Sequence, residues 1–406
     1  MGKKDPFAKF DLRDRDFLAD PAPVLAQMRA AGPLVRVRLP LMGDTWMTTT
    51  DAAARKLLKD TRFRRDYQAV TGKPLTRKFW WMPGFMKPLM QNIILKDGKD
   101  HKRLRGLVDL AFARTTIDTM RPRLAEIADT LLDQINPDQP VDITAAYARA
   151  LPLLAICELL GVPDQDREKI TRWIAPISGP TSLWMMLRAL PALRRVMQHF
   201  RADFKTVVQT GRPGLIHDLV MAEQNGEKLN EDELLSMVFT LFIAGHETTV
   251  YLITNAIRSL AQDAELRARL VQDPAQISIA VEEFMRFWSP VMMTKGMYAT
   301  QNLDFDGVQV AKGDQASALL LAANHDPARF DPASALIADR RPNAHLGFGH
   351  GPHVCLGIQL ARAEAQIALE RLLTRFPDLA LTGPAPSFGR RIGMRGFSKL
   401  MVRLRP

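Results

Sequence analysis

The chain has 406 residues, 47% of them hydrophobic, which is enough apolar sequence for a large buried core. Its 55 basic and 44 acidic side chains give a formal net charge of +11, but the basic residues are dispersed without interleaved aromatics, which argues against a nucleic-acid-binding protein. Cys157 and Cys355 are the only cysteines, so a disulfide framework is excluded and a reducing compartment is expected. No apolar leader follows Met1, and the longest nearly uncharged apolar run, 234–245, is too short to span a bilayer. We therefore expect a cytoplasmic protein without a membrane anchor.

Along the first half of the chain, the patterning predicts helices and one short β-rich region. Residues 34–50 alternate apolar and polar side chains around a turn, which is typical of a β-hairpin at the edge of a fold. The segment 79–95 follows no single period, and its two prolines and three methionines fit either a buried loop or a loop that lines a lipophilic cavity. The stretch 182–200 is predicted to form two helices separated at Pro191.

The most distinctive predicted helix begins at Asn230, a favourable N-cap with a glutamate three residues later. Its apolar run predicts a helix buried nearly all round, but Gly245, Glu247 and Thr248 interrupt that run. A glycine inside a helix costs about 1 kcal/mol relative to alanine, and buried polar side chains add a desolvation cost. Such a local violation of the rules tends to mark a functional site.

Two further pairs of residues share helix faces. His101 and Arg105 are spaced i, i+4, and Glu283 and Arg286 are spaced i, i+3. Each pair alone is a weak signal, because basic residues and ion pairs on helix faces are usually solvated and stabilise the helix by only about 0.2–0.5 kcal/mol.

The stretch HLGFGHGPHVCLG, residues 345–357, is a glycine-spaced loop that leads through Cys355 into a helix predicted to continue to Phe376. A thiolate at a helix N-terminus is stabilised by the helix dipole and by the free amides of the first turn. From the residues alone, Cys355 could be a buried structural cysteine, a zinc ligand together with the histidines of the loop (His345, His350 and His353), or a catalytic nucleophile. A structural cysteine needs no glycine-rich loop, ligands this crowded rarely form a good tetrahedron, and nothing identifies a base or an oxyanion hole.

In combination, these motifs resemble those of the cytochrome P-450 family of haem-thiolate monooxygenases, above all its soluble bacterial members, over nearly the whole chain. The cysteine-loop pattern F-x-x-G-x-x-x-C-x-G is matched by Phe348, Gly351, Cys355 and Gly357. The pattern [AG]-G-x-[DE]-T is matched by Ala244, Gly245, Glu247 and Thr248. The patterns E-x-x-R and H-x-x-x-R are matched by Glu283 with Arg286 and by His101 with Arg105.

The resemblance implies a haem cofactor (heme b, protoporphyrin IX iron) between the helix at 244–248 and the helix after Cys355. Cys355 would be the axial metal ligand, whose thiolate favours O–O cleavage. The implied cofactor-binding residues are His101, Arg105, Ala244, Gly245, Phe348, His353, Cys355 and Gly357, among which His101, Arg105 and His353 would bind the propionates. The implied catalytic residues are Glu247, which relays protons through water, and Thr248, which hydrogen-bonds dioxygen. Glu283, Arg286 and Arg340 are implied to form a structural ion-pair cluster.

The fold implied by the resemblance is mainly α with minor β sheets, an α-rich triangular body with a small β-rich region. We expect a single cytochrome P-450 domain over residues 1–406, with β-rich parts at roughly 34–50, 291–322 and 379–405 and with no fused reductase.

The activity implied is the transfer of one oxygen atom from O2 to a hydrophobic small molecule (terpenoid, steroid, fatty acid or polyketide-like) by hydroxylation, epoxidation or dealkylation. Electrons would come from a separate ferredoxin and ferredoxin reductase, with an acidic iron–sulfur protein docking near Arg103 and Arg362. We expect a monomer with no nucleic-acid partner. The open alternatives are a haem-thiolate sensor without turnover, against which the Glu247–Thr248 pair argues, and a peroxide-driven enzyme.

By position in the family, the substrate pocket would be lined by Met86, Leu241, Ala244, Val291, Met292, Met293 and Met394. The methionines of this region, which also include Met82 and Met90, adapt to varied apolar shapes, although they could equally pack the core.

Two positions depart from the family pattern. Met297 stands where many members carry a propionate-binding arginine, for which Lys295 could substitute, and His325 replaces the arginine of an A-N-R-D-P turn.

Overall fold

The described chain is mainly helical. The computed structural model describes residues 7, 10–39, 43–73, 83–114, 117–174, 177, 183–224, 226–389 and 391–405. Its α-helices are α1 (Arg15–Ala19), α2 (Ala22–Ala31), α3 (Asp51–Lys59), α4 (Tyr67–Thr71), α5 (Gly98–Arg114), α6 (Ile117–Asp133), α7 (Ala150–Leu160), α8 (Asp164–Ile174), α9 (Leu183–Thr210), α10 (Leu215–Met221), α11 (Glu231–Gln262), α12 (Ala264–Gln272), α13 (Ile277–Trp288), α14 (Leu320–Asn324) and α15 (Ile358–Arg375). Short 3-10 helices occupy Gly84–Gln91, Ile93–Leu95, Pro274–Gln276 and Gly351–His353, and a π-helical turn occupies Thr144–Ala148.

The strands are short and form small sheets. They are β1 (Leu34–Leu39), β2 (Gly43–Thr48), β3 (Phe63–Arg64), β4 (Val141–Asp142), β5 (Glu223–Gln224), β6 (Glu227–Lys228), β7 (Met297–Ala299), β8 (Leu303–Phe305), β9 (Val308–Val310), β10 (Gln315–Ser317), β11 (Ala380–Leu381) and β12 (Met401–Arg403). The largest sheet has the order β1-β2-β10-β7-β3, and a second has the order β11-β12-β4. The antiparallel β1–β2 pair, with Leu34 opposite Thr48, is the predicted hairpin. The predicted fold class, mainly α with minor β sheets, is confirmed.

Helix α11 is the helix predicted from Asn230. The Asn230 side chain accepts a hydrogen bond from the Glu233 N–H, and the Glu233 carboxylate accepts one from the Asn230 N–H, which completes a capping box. By length and composition this helix could cross a bilayer, but 61% of its apolar window is buried inside the fold, as in the core helix of a globular protein. It packs against α7, α13, α15 and the 3-10 helix at 84–91, so its polar interruption at 245–248 lies within the fold.

A buried cluster of charges ties α13 to the segment that follows α14. Arg286 donates hydrogen bonds to both carboxylate oxygens of Glu283 at 2.8 and 2.7 Å, and Arg340 donates to Glu283 at 3.2 Å. Arg286 also donates to the carbonyls of Asn324, Ala333 and Ala335 at 2.7–2.9 Å. The side chains of Glu283 and Arg286 are 0% exposed, so this is not a solvated surface pair. Complete pairing offsets the cost of removing these charges from water.

The predicted break at Pro191 is wrong, because α9 continues through this residue. A proline inside a helix removes a backbone hydrogen bond at a cost of about 3 kcal/mol. The buried face of α9 offsets that cost: Val196 and Phe200 are buried, and the Phe200 ring lies 5.5 Å from the ring of Phe242 on α11. Tertiary packing therefore overrides the local signal.

Candidate active site

The loop before Cys355 is shaped by glycines and by a backbone hydrogen bond. The Cys355 N–H donates to the Phe348 carbonyl at 2.9 Å. Gly349 and Gly351 have φ values of 76° and 74°, in the left-handed region that favours glycine. At Gly351 a Cβ atom would lie 2.7 Å from the backbone oxygen of Leu58, so no side chain fits there. These constraints fix the cysteine just before the start of α15.

The Cys355 side chain lines a recess rather than the outer surface. It is accessible to solvent, yet the surrounding protein desolvates the thiol and raises its pKa, against the opposing effects of the Gly357 N–H and the Arg105 charge. A Cβ atom at Gly357 would meet no other atom within 4 Å, so open space adjoins the cysteine. Coordination to a metal ion would remove the thiol proton. Cys157, by contrast, is fully buried among apolar side chains, and burial raises its pKa to about 12.

One face of helix α11 is accessible near the middle of the helix. Ala244 is exposed, whereas Phe242 and His246 on the same helix are buried. Burial lowers the pKa of His246 to about 4, so this imidazole is neutral. An accessible alanine in the middle of a core helix indicates that a cavity adjoins this face.

The polar residues beside this opening are hydrogen-bonded. The Thr248 hydroxyl donates to the Ala244 carbonyl at 2.8 Å. The Glu247 carboxylate accepts a hydrogen bond from the Tyr251 hydroxyl at 3.3 Å and forms an ion pair with Arg391. The side chain of Glu247 is 14% exposed, so it is largely but not completely desolvated.

Basic side chains gather near the Cys355 loop. The rings of His101 and His353 lie 4.1 Å apart, and His353 Nε2 is 3.5 Å from an oxygen of Asp97. Arg105 donates to the Val354 carbonyl at 2.9 Å, one residue before the cysteine. We call the following set the basic cluster: Arg65, His101, Arg105, Lys295 and His353.

Arg65 and Lys295 complete this cluster. The backbone N–H of Arg65 donates to Asp97 at 2.5 Å, which places Arg65 beside the carboxylate that faces His353. Burial and then the charge of Arg65 lower the pKa of Lys295, so the two cations are near each other. Lys295 thus lies beside the predicted propionate-binding residues, whereas Met297 is buried in β7.

Protein carboxylates do not balance the charge of the basic cluster. Arg65 is 8% exposed, its Nε atom finds no hydrogen-bond acceptor among the described residues, and burial lowers its pKa to about 10. Burial, followed by the charges of His353 and Arg105, lowers the pKa of His101 to about 4. The nearby carboxylates are Asp97 and Asp109, which pairs with Arg105 at 2.9 Å. An anionic ligand would relieve this repulsion and satisfy the unpaired N–H group.

The zinc interpretation of the loop does not fit the partners of its histidines. His345 Nε2 lies 3.2 Å from Glu282, and Arg362 donates to the same carboxylate at 2.8 and 2.7 Å. Burial opposes ionisation of Glu282, but the hydrogen bonds from His345 and Arg362 outweigh it and lower the pKa to about 2. His353 faces Asp97 instead, and the described residues contain no group of three or more such side chains arranged to hold a metal ion. Phe348 packs 5.2 Å from the Arg362 guanidinium.

The predicted pocket residues fall into two groups. Met86 and Leu241 are half-buried and pack along the main core. Val291 and Met394 are half-buried and form an isolated β-bridge. Met293 is 8% exposed, and its Cγ would lie 3.0 Å from a Cβ at position 393.

The prediction that Met292 lines the pocket is corrected. This side chain has no exposed surface and packs in the cluster that contains Phe17, Leu25 and Leu319, so core packing describes it. Met82 lies outside the described residues. His325 is also buried: its Nε2 lies 2.8 Å from the Phe287 carbonyl, and burial lowers its pKa to about 3.

Sequence reasoning missed two charged residues at this site, Arg65 and Arg391. Arg65 follows a short strand in the run R-F-R-R-D, where the only hint was an excess of arginine. Arg391 lies far from Glu247 in the sequence and belongs to no motif. Only the folded chain brings each of them to its neighbours.

Comparison with known proteins identifies the family to which this fold belongs. The Cytochrome P450 family model matches residues 66–280 and 277–381. The chain is 34% identical to the polyketide biosynthesis cytochrome P450 PksS of Bacillus subtilis strain 168, over 97% of this chain and 98% of that protein. The solved structure of PksS has a TM-score of 0.89 and covers 98% of this chain and 100% of its own.

Two other proteins give similar matches. Vitamin D(3) 25-hydroxylase of Pseudonocardia autotrophica is 34% identical, over 98% of this chain and 96% of that protein. A structure of P450BioI in complex with an acyl carrier protein ligated to hexadec-9Z-enoic acid is 32% identical, with a TM-score of 0.85 over 96% of this chain and 99% of that one. The chain therefore belongs to the cytochrome P450 family, and it is an oxidoreductase of the monooxygenase type that uses haem.

The described residues fit that cofactor. Haem needs an axial donor to its iron, a flat space and cations for two propionate groups. The chain offers an accessible thiol in a recess, an open stretch of a core helix and a group of basic side chains in which the buried Arg65 has an Nε atom that is unpaired among the described residues.

Proposed function

We propose that this P450 hydroxylates, epoxidises or dealkylates a hydrophobic small molecule, with electrons from a separate ferredoxin and ferredoxin reductase. The observation that carries the proposal is the accessible Ala244, next to Thr248 on a core helix and near the half-buried Leu241. Related enzymes are named for polyketide biosynthesis and for hydroxylation of vitamin D(3), which supports a bulky apolar substrate. We place the protein in the cytoplasm as a monomer.

In this proposal the chain's residues hold the cofactor from two sides. The Cys355 thiolate would coordinate the iron, and the basic cluster would bind the propionates through charge-assisted hydrogen bonds. When bound, the haem supplies the site at which dioxygen is activated. The protein supplies the geometry, the apolar surface that excludes water and the path for protons.

The residues of α11 would handle the protons. Transfer of one oxygen atom to the substrate, with release of the other as water, consumes two electrons and two protons. The Thr248 hydroxyl, which donates to the Ala244 carbonyl at 2.8 Å, can turn to donate a hydrogen bond into the cavity. Glu247 can take protons from water and pass them on through further water.

Replacement of Thr248 tests this role. In Thr248→Ala, electrons should be diverted to hydrogen peroxide, because proton delivery loses its hydrogen-bonding group. We expect the ratio of product to NADPH consumed to fall by about tenfold or more. Thr249→Ala is a matched control, since the Thr249 hydroxyl is buried and donates to the Gly245 carbonyl at 3.1 Å. Equal coupling in the two variants would contradict the proposal.

The substrate class is tested by ligand-induced changes in spin state. A panel of vitamin D(3), myristic acid, a macrolide and a monoterpene is compared with polar molecules of similar size. Apolar members should shift the spectrum and be oxidised, which also excludes a sensor without turnover. Tight binding of polar compounds alone would contradict an apolar substrate.

The net charge of +11 supports an acidic electron donor. Arg103 and Arg362 are both ion-paired within the chain, with Glu233 and Glu282, so they present less free charge than their sequence positions suggested. We nevertheless propose docking on this side, near the Cys355 loop. Electron transfer should slow as salt is added, and a rate that is independent of salt would contradict electrostatic docking.

A further inference from the structure

Glu247 is bound by a residue from the C-terminal part of the chain. Its carboxylate forms an ion pair with Arg391 and accepts the Tyr251 hydroxyl at 3.3 Å. The two charged side chains are 14% and 31% exposed, so the pair is partly desolvated and stronger than a pair on the open surface. Partial burial also lowers the pKa of Arg391.

The segment that carries Arg391 is pressed against α11 at two glycines. A Cβ atom at Gly396 would lie 2.3–2.6 Å from atoms of Tyr251, and one at Gly389 would lie 2.7 Å from the Tyr251 hydroxyl. The Gly389 N–H donates to the Gly396 carbonyl at 2.8 Å, so the two glycines are themselves paired. This close approach places Arg391 beside Glu247, one helical turn before Tyr251.

Arg391 also begins a turn that is bound to another predicted pocket segment. The Met292 N–H donates to the Gly393 carbonyl at 2.8 Å, and Val291 forms a β-bridge with Met394. We call residues 391–395 the substrate turn. A ligand that contacts Val291 and Met394 therefore contacts a turn whose first residue holds the acid on α11.

We propose that Arg391 is a positioning residue that keeps Glu247 ionised, and that a substrate which displaces the substrate turn frees Glu247 to take up a proton. This inference rests on the proposed function, in which Glu247 relays protons. A neighbouring guanidinium favours the carboxylate over the carboxylic acid, so its withdrawal raises the affinity of Glu247 for protons. Proton delivery would thus be coupled to occupation of the pocket.

Other titratable and charged groups surround the pair. His246 and Tyr251 belong to α11, and Arg149, at the end of the π-helical turn, influences the pKa of both. Neutral His246 is not expected to exchange protons near pH 7, because burial lowers its pKa to about 4. Burial raises the pKa of Tyr251, so it also stays neutral. Glu247 is therefore the group whose protonation should respond to Arg391.

The test is the number of protons taken up when an apolar probe binds the haem-loaded protein. Binding of vitamin D(3), or of whichever non-ionisable panel member gives the largest spin-state change, is measured by calorimetry in buffers of different ionisation enthalpy from pH 5 to 8. We expect net proton uptake by the wild-type protein and by Arg391→Lys, which keeps the charge. We expect its loss in Arg391→Gln and in Glu247→Gln, with the probe still bound.

Uptake that persists in Glu247→Gln or in Arg391→Gln, or that is absent from the wild-type protein, would overturn the inference. If Arg391→Gln does not retain haem, the comparison of wild type with Glu247→Gln still decides whether Glu247 is the group that is protonated. The proposed function fails by a different result, namely unchanged coupling in Thr248→Ala, so the two failures are distinguishable.

Discussion

Two groups of charged side chains in this protein differ in how completely the chain itself pairs them. In the cluster around Glu283, Arg286 donates to both carboxylate oxygens and to three backbone carbonyls, and Arg340 adds a further bond. In the basic cluster, the buried Arg65 retains an unpaired Nε atom among the described residues, and it lies beside other cations. A buried charge whose partners all come from the chain is suited to a structural role, and removal of one partner is costly. The unpaired Nε atom of Arg65 could instead be satisfied by an anionic ligand.

The largest expected effect is on the complete cluster. Glu283→Gln should lower the free energy of unfolding by about 3–5 kcal/mol, because it leaves two buried guanidinium groups without their carboxylate. Urea unfolding of the haem-loaded protein measures this change. Glu168→Gln is the control, because Glu168 is 85% exposed in its pair with Arg172 and should contribute less than about 1 kcal/mol. If Glu283→Gln were as stable as Glu168→Gln, the cluster would not have the structural role assigned to it.

Substitution in the basic cluster should weaken haem binding rather than the stability of the fold. Arg65→Leu should release haem about tenfold faster, because one charge-assisted bond to a propionate is lost, while the haem-free protein loses little stability. Transfer of haem to apomyoglobin measures the rate. Arg64→Leu is the matched control, because Arg64 is the exposed neighbour in β3. Equal rates for the two variants would remove Arg65 from the haem site.

A smaller effect concerns pH. The pKa of His101 is lowered to about 4 by burial and nearby cations, below the ordinary value of about 6.5. Its neutral form thus favours the folded state, and this contribution is present above about pH 6.5 and lost as the pH falls toward 4. As the pH is lowered from 6.5 to 4, the haem-depleted wild-type protein should lose about 1 kcal/mol more free energy of unfolding than haem-depleted His101→Gln. Thermal unfolding at each pH measures this difference. Identical pH profiles for the two proteins would mean that burial and nearby cations do not lower the pKa of His101.

The motifs predicted more of the site than of its surroundings. Cys355, Glu247 and Thr248 could be selected as candidate site residues because a glycine-rich loop and a polar break in an apolar helix are local signals. The continuous α9 through Pro191 and the fully buried Met292 were not predictable, because packing between distant segments decides both. Arg65 and Arg391 were missed for the same reason, because the side chains that each one contacts are distant in the sequence and are brought together only by the fold.

We propose above all that Cys355 and the open stretch of α11 enclose a haem with a thiolate ligand. The most direct measurement is the absorption spectrum of the reduced protein with carbon monoxide. We expect a strongly red-shifted Soret band in the wild-type protein and in Cys157→Ala, and its loss in Cys355→Ala. A wild-type protein that binds haem without this red shift, or a Cys355→Ala variant that keeps it, would contradict thiolate ligation by Cys355.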